Sequence, residues 1–202
     1  VDEMCCLGVC KAVQIDESNC GTCGNACTGT WTYCCSGECA DTHTDESNCG
    51  TCGTVCATGE LCCSGVCTAV QTDRDNCGSC GNMCGAGQGC CSGVCKSVQT
   101  DEFNCGTCGT VCGDGEECCG GLCTAVQTDE ASCGGCGIEC AAGYTCCSGV
   151  CRNTATDLSN CGGCGIPCVG TCCGGFCKAT YEDELNCGDC GIECAVGETC
   201  CY

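Results

Sequence analysis

Bulky apolar and aromatic side chains are scarce in this sequence, which has one Trp, two Phe and an aromatic share of 3%. The nominal hydrophobic content of 44% is misleading, because the chain has 44 cysteines among its 202 residues. An ordinary core of Leu, Ile and Phe cannot be built from such material. Small domains without that core need cystines or a metal to offset the entropy of the chain. The composition therefore predicts a covalently stapled fold with a minimal hydrophobic core.

Positive charge is also scarce, since the chain has five Lys and Arg in total but 26 Asp and Glu, and its net charge is −21. A field of this sign repels nucleic acid and anionic lipid. Apolar runs fall short of the ~20 residues that a membrane span requires. We therefore expect neither a nucleic-acid partner nor membrane insertion.

Catalytic combinations are missing too. The single histidine, His43, has no cysteine or serine nucleophile arranged with it in the sequence. Phosphate-binding loops and paired-carboxylate motifs are not recognisable either. The sequence predicts a protein that is not an enzyme and that has no organic cofactor.

A repeated cysteine pattern fills the chain. Residues 76–103 read NCGSCGNMCGAGQGCCSGVCKSVQTDEF, and the pattern C-x2-C-x3-C-x5-CC-x3-C returns with a period of 28 residues. A unit of this size cannot bury a core alone, so the whole molecule is interpreted as an array. We predict small disulfide-rich repeats in an elongated, loop-rich tandem array, rod-like or solenoid-like, with short β-strands and single helical turns. The predicted segments are a partial repeat at 1–19, repeats at 20–48, 49–76, 77–104, 105–132 and 133–160, a shortened repeat at 161–186, and a partial repeat at 187–202.

The number of cysteines is even, and cystines persist only in oxidising compartments. We therefore expect a secreted protein, extracellular or at the cell surface, present as a mature product or a piece of one. Six cysteines allow 15 pairings per repeat, so the sequence leaves the connectivity open. A thiolate metal cluster is the alternative, because C-x2-C and CC also occur in metal sites. The representative disulfide set is Cys77, Cys80, Cys84, Cys90, Cys91 and Cys95.

Spacing within a repeat predicts local structure. Cys20, Cys23 and Cys27 stand at i, i+3 and i+7, which indicates one face of a short helical turn. In an extended CC pair the two side chains point to opposite sides, so the two cysteines should bridge in different directions. Ser64-Gly65 after such a pair indicates a tight turn. The run Ala69–Thr72 is the β-prone stretch and predicts one short strand.

An aspartate recurs four residues before the first cysteine of each repeat. The first interpretation is a cap or Asx-turn that satisfies backbone N–H groups at the join between repeats. The second is a calcium site, because the following Glu and Asn also offer hard oxygen ligands. The residues concerned are Asp16, Asp45, Asp73, Asp101, Asp129, Asp157 and Asp183.

Threonines recur at two places in the repeat, between the first two cysteines and just before the aspartate. Solvated turn residues are the simpler interpretation. O-linked glycans are the alternative, and under it surface glycans are expected partners. The candidate positions are Thr22, Thr51, Thr107, Thr44, Thr72, Thr100, Thr128 and Thr156.

The first and last cysteines belong to incomplete repeats. Head and tail of successive copies are expected to complete one another, a heterologous contact that does not close and so propagates as a filament. A window on a longer array and a vicinal Cys200–Cys201 bridge are the alternatives. The candidates for bonds between copies are Cys5, Cys6, Cys10, Cys200 and Cys201.

The segments NCGTCGNAC and CCSGVC, with joins that read like QTDESNCG, resemble the Stig1-type cysteine-rich repeat. Plant proteins of that type are secreted matrix or signalling proteins, and lipid and receptor-kinase contacts are discussed for some of them. The resemblance implies secretion and disulfide bonding. This chain differs in carrying many repeats and in being strongly acidic.

Three functions follow as hypotheses. The first is a non-enzymatic extracellular structural protein, a disulfide-stapled repeat rod that assembles head to tail with copies of itself into a fibril, appendage or matrix filament. The second is a secreted Stig1-like binding or signalling module that recognises a receptor or glycan. The third is a metal-sequestering cysteine-rich protein.

Overall fold

The computed structural model describes residues 3–200, and these form two compact bodies that divide after Val98. Both bodies are built from the same element, a two-stranded antiparallel hairpin followed by a loop-rich segment. The described residues contain no helix and no sheet of more than two strands. The prediction of small disulfide-rich tandem repeats with short strands is confirmed.

The N-terminal body, Val1–Val98, contains four hairpins within its described part. Their strands pair in sequence order, β1 with β2 through β7 with β8. The strand bounds are β1 Glu3–Cys6, β2 Val9–Ala12, β3 Thr32–Cys35, β4 Glu38–Asp41, β5 Leu61–Cys63, β6 Val66–Thr68, β7 Gln88–Cys91 and β8 Val94–Ser97.

The C-terminal body, Gln99–Tyr202, contains three hairpins within its described part. Here too each strand pairs with the next one along the chain. The strand bounds are β9 Glu117–Cys119, β10 Leu122–Thr124, β11 Thr145–Cys147, β12 Val150–Arg152, β13 Thr171–Cys173 and β14 Phe176–Lys178.

Each hairpin is the CC-x3-C half of a repeat. In β5–β6 the register places Cys62 opposite Cys67 and Cys63 opposite Val66, so Ser64-Gly65 is a two-residue turn. Both turn residues have positive φ, 52° and 81°. That conformation matches the right-handed twist of the flanking strands, which explains the tight turn that the sequence predicted.

Two local predictions are wrong. The segment Cys20–Cys27 forms turns and bends instead of a helical turn. Gly21 and Gly24 adopt left-handed φ values of 72° and 78°, and the Cys20 N–H donates to the Asn25 carbonyl at 2.7 Å. A left-handed residue cannot propagate a right-handed helix, so the spacing i, i+3, i+7 reflects a folded loop.

The run Ala69–Thr72 is a turn and not a strand. The Thr72 and Asp73 N–H groups both donate to the Ala69 carbonyl, at 3.0 and 2.9 Å. Val70 is 3% exposed and packs inward. The preceding cysteines already form a hairpin, and this run has no strand beside it with which to pair.

Large apolar side chains lie mostly at the surface, as the minimal core predicts. Phe103 is 67% exposed and Leu185 is 63% exposed. The buried positions are held mainly by cysteines, together with a few valines of the joins such as Val70 and Val126. Sulfur atoms therefore occupy the centre of each repeat.

Candidate functional site

The centre of each complete repeat is a pair of cystines that ties the loop to the hairpin. In the repeat at 77–104, Cys77 bonds to Cys90 and Cys84 bonds to Cys95, with Cα–Cα distances of 5.5 and 5.4 Å. These four residues form one packed cluster, in which Cys77 has no exposed surface. The first cysteine of a repeat thus bonds to the fourth, and the third bonds to the sixth. Six repeats have this pairing: 20–34 with 27–39, 49–62 with 56–67, 77–90 with 84–95, 105–118 with 112–123, 133–146 with 140–151, and 161–172 with 168–177.

The remaining two cysteines of a repeat link it to its neighbours. Cys35, the fifth cysteine of one repeat, bonds to Cys52, the second cysteine of the next. Its neighbour Cys34 bonds back to Cys20, so the CC pair bridges in two directions, as predicted. The cystines of this type within one body are 6–23, 35–52, 63–80, 119–136, 147–164 and 173–190. Each spans 17 residues and crosses from one predicted repeat to the next.

All six cysteines of the representative set are disulfide-bonded in the structure. Cys80 bonds to Cys63 of the preceding repeat, and Cys91 is also disulfide-bonded. Of the candidates for bonds between copies, Cys6 bonds to Cys23 and Cys200 bonds to Cys187 within the chain. Cys5 and Cys10 are exposed thiols, and Cys201 lies outside the described residues.

Sulfur triplets that resemble metal sites occur in the repeats. The sulfurs of Cys20, Cys27 and Cys34 lie within 4.8 Å of one another. Each of the three is bonded to another sulfur. A metal cluster requires thiolates, so these triplets favour the stapling interpretation of the cysteines over the thiolate cluster.

The loop and the hairpin of a repeat also meet through their backbones. The Gly50 N–H donates to the Thr42 carbonyl at 2.8 Å, and the Gly65 N–H donates to the His43 carbonyl at 3.2 Å. The same pair of bonds recurs one repeat later, from Gly78 to Val70 and from Gly93 to Gln71. The segment between the preceding hairpin and the loop, called the join, therefore accepts hydrogen bonds from both the loop and the hairpin turn of its repeat.

The recurring aspartate organises that join. One carboxylate oxygen of Asp45 accepts the Ser47 N–H and the other accepts the Asn48 amide, both at 2.8 Å. The Asn48 side-chain oxygen in turn accepts the Gly53 N–H at 2.9 Å, which reaches into the loop between cysteines. This is the Asx-turn of the first interpretation, and both of its carboxylate oxygens accept hydrogen bonds. Calcium binding at these aspartates stays a prediction.

The hydrogen bonds at the join lower the pKa of the aspartate. For Asp45 the Asn48 side chain is the larger cause and the Ser47 N–H the next, and both stabilise the charged form. For Asp16, Asp73 and Asp157 the backbone N–H two residues on is the larger cause, while for Asp183 it is the Asn186 side chain. Asp101 and Asp129 also accept the N–H two residues on, at 2.9 and 2.7 Å.

The eight candidate threonines are exposed. Two of them, Thr51 and Thr107, share a hydrogen bond with the hydroxyls of Thr54 and Thr110 at 2.8 Å. Their hydroxyl groups are accessible to solvent, and O-glycosylation at these positions stays a prediction.

The aromatic residues of the N-terminal body take part in two features, a ring stack and a cleft. The rings of Trp31 and His43 stack with centroids 4.0 Å apart and planes 11° apart. Nearby residues line an open cleft of about 450 Å³, among them Ile15, Tyr33 and Thr51. Ile15 occupies a place where most repeats have Thr, and this departure from the repeat is the one sequence feature that could have drawn attention to the cleft.

The segments matched by comparison with protein families cover most of the chain. The family model for the stigma-specific STIG1-like protein family matches five overlapping segments, at residues 28–97, 57–125, 86–153, 115–171 and 141–202. No significant match was found among curated proteins or among solved structures. Within residues 3–200, no helix has the length and apolar character needed to cross a membrane.

Proposed function

The chain belongs to the stigma-specific STIG1-like protein family, and from that premise we propose that it is a secreted structural protein that assembles end to end into an extracellular fibril. Its role in this proposal is mechanical and non-enzymatic. The cystines and the family both support secretion.

The cystine between the fifth cysteine of one repeat and the second cysteine of the next carries the proposal. Cys35–Cys52, Cys63–Cys80 and Cys147–Cys164 join unlike surfaces of successive repeats. A contact between unlike surfaces can be repeated without closing on itself, which is the requirement for a filament. The same interface between copies would extend the array beyond one chain.

The cystines inside each repeat also support a mechanical role. Closing a loop of about 15 residues with a cystine contributes about 3 kcal/mol in the chain-entropy model. Such bonds act locally in every repeat and do not depend on one large cooperative core. The repeats should therefore resist heat, detergent and proteases together.

Charge and surface chemistry fit a polymer in water. The net charge of −21 opposes side-by-side precipitation. Exposed threonines, Thr51 and Thr107 among them, would carry O-glycans in this proposal.

Electron microscopy of the purified protein tests the proposal. Under non-reducing conditions we expect fibrils that persist in hot detergent, and a reductant should dissolve them. Dispersed single particles at all concentrations, without reductant, would overturn the fibril.

A second candidate is a secreted binding module, favoured by the cleft that Ile15, Tyr33 and Thr51 line. An aromatic ring, an aliphatic wall and a hydroxyl together suit a receptor side chain or a glycan. Binding of the protein to a component of extracellular extracts would be measured. Saturable binding that is lost in the Tyr33→Ser variant, while fibril formation is unchanged, would support this function.

A further inference from the structure

The first hairpin, β1–β2, has the same design as the hairpins that follow it. Its register places Cys5 opposite Cys10, as β3–β4 places Cys34 opposite Cys39. In the six later hairpins these two cysteines bond to the first and third cysteines of a loop. In β1–β2 both are exposed thiols, with their sulfur atoms 3.6 Å apart.

The turn of this hairpin is also uncovered. In β5–β6 a Cβ on the turn glycine Gly65 would lie 3.4 Å from the Cα of Gly50 in the docked loop. At the equivalent Gly8, none of the described residues lies within 4 Å. Among residues 3–200, this hairpin therefore has the form of the later hairpins with no loop packed against its turn.

The loop at 187–194 shows the reciprocal arrangement. It has the same C-x2-C-x3-C spacing, and its Gly188 N–H donates to the Thr180 carbonyl at 2.9 Å, as Gly162 donates to Thr154. The loop and its join are thus already folded as in other repeats. Its second cysteine, Cys190, is bonded to Cys173.

The Cys187–Cys200 cystine of this loop differs from the equivalent cystines in its burial and in its backbone contact. The first cysteines of the six complete repeats are 0–4% exposed, whereas Cys187 is only half-buried. Its partner Cys200 contacts the Asp183 carbonyl at 3.5 Å, whereas the equivalent Cys172 contacts Thr154. The Cys187–Cys200 bond is therefore more exposed to solvent at Cys187 than the equivalent cystines of the complete repeats are at their first cysteine.

We propose that the β1–β2 hairpin of one copy is an acceptor for the 187–194 loop of a second copy. This inference rests on the proposed end-to-end assembly and names the surfaces that meet. In the docked pair Cys5 would bond to Cys187, as Cys34 bonds to Cys20. The Gly8 N–H would donate to the Tyr181 carbonyl, as Gly37 donates to Gln14 at 3.1 Å.

Thiol–disulfide exchange forms the covalent link without an oxidant. The Cys5 thiolate attacks the Cys187 sulfur, the Cys187–Cys200 bond breaks, and the Cys5–Cys187 bond forms. Cys200 leaves as a thiolate and takes up a proton equivalent to the one lost by Cys5. One cystine is consumed and one is formed, so the electrons balance.

Mixed-isotope disulfide mapping tests this link. Unlabelled and 15N-labelled copies are mixed in equal amounts, alkylated and digested without reduction. We expect a cystine peptide that joins Cys5 to Cys187 and pairs light with heavy halves in half of the cases. A Cys5–Cys10 bond, an alkylated Cys5, or only light–light and heavy–heavy pairs would overturn the inference.

A variant separates this inference from the proposed function. Cys5→Ser with Cys10→Ser should lose the assemblies, while the retained Cys6–Cys23 cystine reports that the hairpin has folded. Fibrils of normal length from this variant would overturn the acceptor and leave end-to-end assembly standing. Absence of fibrils from the unmodified chain would instead remove the proposed function itself.

Discussion

A Cβ placed on Gly50 would lie 2.6 Å from the carbonyl oxygen of Gly65. The loop and the hairpin of the repeat approach each other so closely at this point that only hydrogen fits between them. The contact recurs at Gly78 with Gly93 and at Gly106 with Gly121. Close backbone approach, more than side-chain packing, therefore sets the distance across which the cystines form.

Gly50→Ala should impair pairing within its repeat. The substitution places a methyl group against backbone that cannot move aside, in addition to the ~1–2 kcal/mol that a left-handed alanine costs. We expect a smaller yield of the Cys49–Cys62 cystine after oxidative refolding, measured by peptide mapping. Gly53→Ala is the matched control, because Gly53 has a φ of 78°, close to the 76° of Gly50, and none of the described residues lies within 4 Å of its Cβ position. Equal yields from the two variants would contradict the steric argument.

Removing a cystine within a repeat and removing a cystine between repeats should have different effects on folding. Cys49 and Cys62 are 3% and 4% exposed, so replacing both by serine should leave buried polar groups and unfold the β5–β6 hairpin. Cys63 and Cys80 are more exposed, and replacing both should leave each repeat folded while the link between them is lost. Hydrogen exchange of the hairpin amides separates the outcomes. Loss of protection in both variants would show that the repeats do not fold independently of their links.

The aspartate turns should weaken in acid. The pKa of Asp45 is lower in the folded chain than its ordinary value of 3.8, so its stabilisation is complete above that pH and is lost as the pH falls through the folded pKa. We expect faster exchange of the Ser47 amide over that range. Asn48→Ala removes the larger cause and should raise the pKa of Asp45, which NMR titration would measure. Glu46→Gln is the control and should leave Asp45 unchanged.

The Trp31–His43 stack offers an optical probe, because the chain has one tryptophan and one histidine. Trp31 is 48% exposed even with His43 against its face. His43→Ala should uncover that face, shift the emission to longer wavelength and increase quenching by acrylamide. His43→Phe keeps a planar ring at the position and should retain most of the protection. Identical spectra for the two variants would mean that the stack does not form in solution.

Some local structure could be predicted from residue types because it depends on few neighbours. Ser64-Gly65 is a turn since a two-residue hairpin needs left-handed conformations. Cys34 and Cys35 bridge in different directions because an extended backbone alternates its side chains. Other predictions from spacing were wrong because a second structural preference of the same segment prevailed. The spacing of Cys20, Cys23 and Cys27 matches one face of a helix. The glycines between them nevertheless take left-handed conformations, which a right-handed helix does not allow.

The sequence alone determined that this protein is a tandem array held together through its cysteines, because the chain has too few bulky apolar residues for an ordinary core and its cysteines are regularly spaced. Tertiary structure decided the pairing, since a bond forms only between sulfurs that the folded loop brings within bonding distance. Cys35 bonds to Cys52, 17 residues away in the next repeat, while the adjacent Cys34 points the other way and bonds to Cys20. Within each body, that geometry links successive small repeats by cystines.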